Sequence, residues 1–269
     1  MTKVIISGSG GKMGQRLVHL ALNSKGIKLV GAIERKGHPL VGQNAGKSIE
    51  GGKAGILITT DLEKALAEGE VVIDFSLPEA SLEVIQTVAK HKKAMVIGTT
   101  GFSKREMELV HQFTKKIPCV MAPNMSVGIN VMFKIIEELA KILGEDYDIE
   151  ILEAHHRHKK DAPSGTALKM AQIVATALDC DLEKVAIYSR RGLVGERQKK
   201  EIGIQSIRAG EIIGEHTMIF AGTGESLEVT HRAQSRDNFA RGALEAAKWV
   251  VKKPPGLYDM LDVLELREK

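Results

Sequence analysis

Cysteine is scarce in this chain: 269 residues contain two, Cys119 and Cys180, in unrelated contexts and without metal or redox spacing. A disulfide scaffold and a Cys-x-x-Cys centre are excluded, and the usage fits a reducing cytoplasm. Aromatics make up only 4%, with a single tryptophan, too few to build a row of base-stacking platforms. Long apolar runs are missing as well. Val4–Ile6 and Val71–Ile73 are strand-sized, so no membrane span is expected. Lys3 leads straight into a short apolar strand and no cleavable apolar region follows, so no signal peptide is expected. Nor does one sign of charge dominate. Lys plus Arg number 38 against 34 Asp plus Glu, a balance of +4 that suits small anionic ligands better than nucleic acid. With 43% hydrophobic and 27% charged residues, the remainder is an ordinary soluble globular composition, long enough for one large domain or two modest ones.

The first half alternates short β-branched runs with helical patterns. Lys3–Ser7, Ile27–Ile33, Ile56–Thr59, Val71–Phe75, Ala94–Ile97 and Ile117–Met121 read as strands. Met13–Leu22, Asp61–Leu66, Pro78–Lys90 and Lys104–Thr114 have helical spacing between them. Continuous apolar strands separated by helices predict a parallel sheet covered on both faces, an α/β fold of doubly wound type. The Gly-rich stretch from Arg35 to Gly55 reads as a long loop. After Ser126 the pattern changes. A helix is expected over Val127–Leu143, a strand over Asp148–Ala154, and a helix from about Thr166 to Leu178. Strands Glu201–Ala209, Ile212–Ala221 and Ser226–Arg232 then follow without helices between them; in the last, Leu227 and Val229 alternate with polar residues as in a half-buried strand. A final helix, Arg236–Val251, presents Phe239, Ala243, Ala246, Ala247 and Val250 on one face, with Ser235 as its expected N-cap. Parallel βα units followed by a strand-rich region predict two domains, the second a smaller α+β unit with an open mixed sheet.

The first strand runs into Gly8-Ser9-Gly10-Gly11-Lys12-Met13-Gly14, spaced as G-x-x-G-x-x-G. Glycines permit a tight turn and close approach of backbone to a pyrophosphate, and the helix that follows offers free N–H groups. An ordinary strand–helix turn would need no more than this. The context adds Glu34 at the end of the second strand, 20 residues after Gly14, where a ribose-hydroxyl acceptor belongs. Arg35 beside it suits the 2′-phosphate of NADPH, and Lys12 can add charge to that phosphate. Holding both residue types points to a site for NADH or NADPH. Gly98-Thr99-Thr100-Gly101 and Ala122-Pro123-Asn124-Met125 end two further strands and should line the nicotinamide side. Asp74-Phe75-Ser76 is similarly placed and reads as structural.

The densest chemistry lies in Glu153-Ala154-His155-His156-Arg157-His158-Lys159-Lys160-Asp161-Ala162-Pro163-Ser164-Gly165-Thr166. The segment joins a strand to a helix, so the amides around Gly165 and Thr166 open a helix N-terminus that favours a carboxylate. Lys159 can pair with an anionic substrate or donate a proton, and His155 or His156 can act near neutrality. A solvated basic loop is the plainer alternative. A metal site ranks last, because adjacent histidines on an extended strand point to opposite sides and no further ligand completes a set.

This segment resembles the signature of the 4-hydroxy-tetrahydrodipicolinate (dihydrodipicolinate) reductase family, and the resemblance extends over the whole chain. It includes the Gly8–Gly14 turn, Glu34-Arg35, Gly98–Gly101, Asn124–Gly128, Arg208–Gly210 and Gly214–His216. The resemblance implies a Rossmann-type domain over residues 1–126, rejoined by 236–269, and a substrate-binding and oligomerisation domain over 127–235. It implies reduction of a cyclic hydroxy-dicarboxylate to tetrahydrodipicolinate with loss of water, in lysine and diaminopimelate biosynthesis, by a cytoplasmic homotetramer. His155 matches the family's proton donor or acceptor and Lys159 its proton donor. His156, Lys159, Ser164, Gly165 and Thr166 fall in the substrate site. Gly8, Ser9, Gly10, Gly11, Lys12, Met13, Glu34, Arg35, Gly98, Thr99, Thr100, Ala122, Pro123, Asn124 and Met125 fall in the cofactor site, with no metal and no membrane or nucleic-acid partner. Lys12 stands where arginine is common and Met125 where an aromatic is common. Two other readings are a different NAD(P)-dependent dehydrogenase, such as one acting on a semialdehyde, and a non-catalytic dinucleotide sensor. Neither cysteine sits in a motif suited to the first, and the intact Lys159 and Ser164-Gly165-Thr166 argue against the second.

Overall fold

A computed structural model describes residues 1–46 and 55–267. Part of the long loop expected over Arg35–Gly55 therefore lies outside the described residues. The chain forms two compact units, Met1–Val127 with Arg236–Lys269, and Gly128–Ser235.

The first unit contains β1 (Thr2–Ser7), α1 (Lys12–Asn23), β2 (Ile27–Ile33), β3 (Ile58–Thr59), α2 (Leu62–Leu66), β4 (Val71–Asp74), α3 (Pro78–Lys90), β5 (Ala94–Ile97), α4 (Lys104–Thr114) and β6 (Pro118–Met121). Its seven strands pair in parallel, in the order β12-β6-β5-β4-β1-β2-β3, where β12 is Gly256–Tyr258. Period-two alternation explains why these strands are apolar throughout. Val4 and Ile6 enter one core with α1, while Ile5 enters the opposite core with Ile85 and Val88 of α3. Because β1 lies between β2 and β4, the connections from β1 and β4 diverge, and a crevice opens beyond their carboxyl ends.

The second unit takes in nearly all of α5 (Val127–Leu143), then β7 (Asp148–His155), α6 (Gly165–Ala177), α7 (Leu182–Val185), β8 (Ala186–Ile187), β9 (Ile202–Arg208), β10 (Glu215–Ala221) and β11 (Ser226–Arg232). The five strands form a mixed sheet, β11-β10-β7-β9-β8, antiparallel at β11–β10–β7 and parallel at β7–β9–β8. One face is apolar at one end. Ile149 and Ile151 of β7, Ile202 and Ile204 of β9, and Met218 and Phe220 of β10 are buried against α5 and α6. The other face leaves Leu152 37% and Ile207 50% exposed.

Several expectations are corrected. Leu227 is 42% exposed on the edge strand β11, so only Val229 of that pair packs on the core. The last long helix, α8, spans Asp237–Val250 with Arg236 in the N-cap position, so Ser235 lies outside the cap. Its buried face uses Ala240 and Leu244 beside Ala243, Ala246, Ala247 and Val250, with Phe239 only half-buried. The two-residue β8 and three-residue β12 were not anticipated, being too short for a period to register. A short helix, α9 (Met260–Val263), closes the first unit.

Candidate active site

At the end of β1 the backbone turns through Gly8, whose φ of +68° is open to glycine and strained for other residues. Gly11 donates to the Gly8 carbonyl at 3.0 Å, and Ser9 is tied to Ile33 of β2 by both its N–H, at 3.0 Å, and its hydroxyl, at 3.1 Å. Helix α1 then passes so close that a Cβ on Gly14 would overlap the Gly8 carbonyl oxygen. Gly11 is the N-cap and no side chain caps this helix, leaving its first N–H groups available to an anion. Glu34 accepts from the Gly10 N–H at 2.9 Å and from the Arg35 N–H at 3.0 Å, which pins its carboxylate over the glycine turn. Lys12 is exposed at the start of α1 and Met13 is half-buried behind it. Gly8, Gly11, Glu34, Arg35, His38 and Phe75 line a cleft of about 770 Å³.

The strand ends at Gly98–Gly101 and Ala122–Met125 sort into open and buried residues. Gly98 lies under the Phe75 ring, which a Cβ there would overlap, and Thr100 is exposed. Thr99 faces inward instead. Its hydroxyl donates to the buried Asp74 carboxylate at 3.0 Å and accepts from Ser76 N–H at 3.0 Å, so Thr99 can serve a ligand only through its backbone. Ser76 and Ser81 hydroxyls bond the same Asp74 oxygen. Asp74-Phe75-Ser76 is thus structural only in part, because Phe75 and Ser76 also line the cleft. Pro123 is exposed, and Ala122 is buried. Asn124 accepts from Ser126 N–H at 2.9 Å. Met125 is 1% exposed and its side chain packs in the core.

The polar end of the second sheet carries the other cluster. Glu153 and His155 are two apart on β7 and share a face, and register places His216 of β10 and Ser206 of β9 on either side of Glu153, with Arg208 beside His155. The Glu153 carboxylate is fully buried and accepts from both Arg208 Nη atoms, at 2.8 and 2.7 Å, and from Ser164 N–H at 3.1 Å. His155 Nδ1 lies 2.5 Å from its Oε2. Burial pushes this carboxyl up, but its hydrogen bonds from His155, Arg208 and Ser206 prevail and hold it far below the usual range. The His155 and His216 rings meet edge to face at 5.2 Å. Burial, and then the charge of His155, push His216 down to about 3.

Beyond β7 the loop folds back toward α6. Lys159 Nζ is held by both Asp161 oxygens, at 2.9 and 2.8 Å, and its charge also acts on His216. His156 is half-buried and its carbonyl accepts from the Lys159 N–H at 3.1 Å. Ser164 is the N-cap of α6, its hydroxyl accepting from Ala167 N–H at 3.2 Å and sharing a 3.1 Å hydrogen bond with His216 Nε2. Gly165 and Thr166 form the first turn, and open space surrounds Gly165. Among the described residues, no group of three or more His, Cys, Asp and Glu side chains is arranged to hold a metal ion. Glu153, Arg208 and His216, unassigned from the residues alone, belong to this cluster; their signal was the strand register, which pattern reading does not supply. In the first unit His38, which lines the cleft, was likewise missed, and Phe75 was read only as structural.

Residues 2–125 match the model of the dihydrodipicolinate reductase N-terminus and residues 128–264 that of its C-terminus. A 4-hydroxy-tetrahydrodipicolinate reductase of Syntrophus aciditrophicus is 58% identical over 99% of this chain and 100% of its own. The enzyme of the same name from Syntrophobacter fumaroxidans is 51% identical over the same shares. The solved structure of a dipicolinate-bound dihydrodipicolinate reductase from Paenisporosarcina sp. TG-14 superposes with a TM-score of 0.74, at 25% identity, over 97% of this chain and 98% of that one.

Proposed function

Since this chain belongs to the dihydrodipicolinate reductase family, we propose that its histidine loop carries out the proton transfer and carboxylate binding of that family's reaction. The reaction is the NAD(P)H-dependent reduction of 4-hydroxy-tetrahydrodipicolinate to tetrahydrodipicolinate, with loss of water, in lysine and diaminopimelate biosynthesis. The observation that carries the assignment is the convergence, at the polar end of one sheet, of a carboxylate-bound histidine, a lysine and the first turn of α6, where Gly165 stands in open space.

The first unit suits a dinucleotide. A Cβ on Gly10 would sit 3.0 Å from Glu34 Oε2 and against His38, so a larger residue there would displace these two side chains. Gly8–Met13 would receive the pyrophosphate, Glu34 the adenosine ribose hydroxyls, and Arg35 with Lys12 a 2′-phosphate. The Gly98–Thr100 and Ala122–Asn124 turns would flank the nicotinamide, with Thr99 contributing backbone groups and Met125 its main chain. When bound, the reduced nicotinamide supplies the hydride.

The second unit supplies the proton and the grip on substrate. Gly165 and Thr166 N–H groups, with His156, receive one carboxylate at the start of α6. Once the 4-hydroxyl has left with a neighbouring ring proton as water, the carbon it occupied is conjugated to the ring nitrogen. Negative charge builds on that nitrogen as hydride arrives at this carbon, and Lys159 Nζ donates a proton there. Its partner Asp161 is 62% exposed, so that ion pair is weak and yields readily to a substrate anion. His155 accepts or donates a proton through Nε2. The exposed Leu152 and Ile207 on the outer face of the mixed sheet support assembly of this domain into a homotetramer. No helix among the described residues is long and apolar enough to cross a membrane, and a cytoplasmic place fits the two reduced cysteines.

Lys159→Met tests the assignment. The variant keeps the stem but removes the donor, so kcat should fall by roughly 10²–10⁴ while cofactor affinity stays near that of the wild type. Wild-type kcat would remove Lys159 from proton transfer.

A further inference from the structure

We propose that Glu153 is a positioning residue for the reaction, fixing the ring of His155 and tying it to the first turn of α6. The proposal rests on the reading of His155 as a proton-transfer group.

Strand periodicity alone would put an apolar residue at position 153. Ile149 and Ile151 precede it on the same face of β7, and both are buried in the core. A carboxylate there is costly unless every oxygen is engaged, and a buried ion pair stabilises a fold no better than well-packed apolar residues. The Glu153 oxygens are fully engaged, and the division of labour between them is informative. Oε1 takes Arg208 Nη2 and the Ser164 N–H, while Oε2 takes Arg208 Nη1 and His155 Nδ1. Arg208 alone would neutralise the charge. Beyond Arg208 and Ser206, which also donates to this carboxylate, its bonds go to the group assigned to proton transfer and to the N-cap of the helix assigned to the substrate carboxylate.

The chemical consequence follows from the inventory of donors. A carboxylate held ionised by a bidentate guanidinium only accepts, so His155 Nδ1 must donate. In the neutral ring the lone pair then sits on Nε2, which faces Gly214; a Cβ there would lie 3.1 Å from Nε2. Without the bond, the imidazole would be free to take the other tautomer and to rotate, as when an orienting carboxylate is lost from a catalytic triad. The charged and titratable groups around His155 come from every neighbouring element: Glu153 on its own strand, Arg208 on β9, His216 on β10 with His231 beyond it on β11, and Lys159 and Asp161 from the loop.

A double-mutant cycle on the full-length enzyme tests this. Glu153→Gln should lower kcat by about 10–100-fold, the usual cost of removing the partner that orients a functional histidine. NADH affinity should stay within about threefold, because a turn in the other domain holds the nucleotide. In a His155→Ala background the same change should have no further effect on kcat. Multiplicative losses would overturn the proposal, as would wild-type kcat in Glu153→Gln. Wild-type kcat in His155→Ala would instead remove the premise, and the two failures are told apart by which single variant is silent. Should Glu153→Gln not fold, the imidazole ¹⁵N resonances of His155 in the unmutated enzyme give a second answer. A proton on Nδ1, in the neutral or the charged ring, supports the proposal, and a ring that carries its proton on Nε2 alone defeats it.

Discussion

Acid reaches this fold through His216 before it reaches the carboxylates. The ring is 3% exposed, its Nε2 shares one hydrogen bond with the Ser164 hydroxyl, and its Nδ1 has no partner among the described residues. An imidazolium there would have two donors and one acceptor, in a site already facing the charge of His155. Burial chiefly, then His155, push the group from 6.5 down to about 3. Between those values the unfolded chain binds a proton that the folded chain refuses, so stability falls as the pH is lowered. The slope approaches about 1.4 kcal/mol per pH unit, and by pH ~4.5 the loss from this ring amounts to about 2.5 kcal/mol. His231, also pushed down by burial, acts in the same direction. Glu153 and Asp161 are held low in the fold, so their stabilising effect is lost only below their ordinary values of 4.5 and 3.8, a separate and more acidic window. Urea unfolding followed by circular dichroism between neutral pH and about pH 5 isolates the histidine effect. His216→Gln should have the shallower dependence, by close to one proton. Equal slopes in the two proteins would refute the reasoning.

Two further perturbations address the nucleotide domain. Gly14→Ala drives a methyl group into the Gly8 carbonyl and to 2.7 Å from Ser9 Cα. Overpacking of this kind costs about 1–3 kcal/mol, so thermal denaturation should shift downward and NADH binding, followed by fluorescence, should weaken with it; an unchanged variant would mean that the turn does not hold cofactor. Arg35→Ala should lower kcat/KM for NADPH about tenfold, the worth of one charge-assisted bond, and leave NADH nearly unaffected, since Glu34 keeps its bonds to the Gly10 and Arg35 main chain. Equal losses with both cofactors would contradict that division.

The parallel sheet was legible because all four residues of β4 and of β5 are buried, and such runs are continuous in the sequence. The glycine turn was legible through Gly8 and Gly14, whose backbone demands leave no other residue. The polar cluster around Glu153 was not. It depends on β9 lying parallel to β7 on one side while β10 lies antiparallel on the other, and sequence spacing carries no information about that order. Thr99 and Met125 show a related limit: a residue at the carboxyl end of a strand can turn inward, and here Thr99 serves Asp74 while Met125 fills the core. Leu227 shows another, since alternation on an edge strand does not guarantee a covering element.

Turnover itself bears most directly on the assignment. Substrate is generated in the cuvette by the aldolase-type condensation that makes the cyclic hydroxy-dicarboxylate, and loss of reduced nicotinamide is followed after this protein is added. Substrate-dependent oxidation of both NADH and NADPH is expected, stopped or strongly slowed by Lys159→Met. Cofactor that stays reduced in the presence of fresh substrate and folded wild-type protein would contradict it.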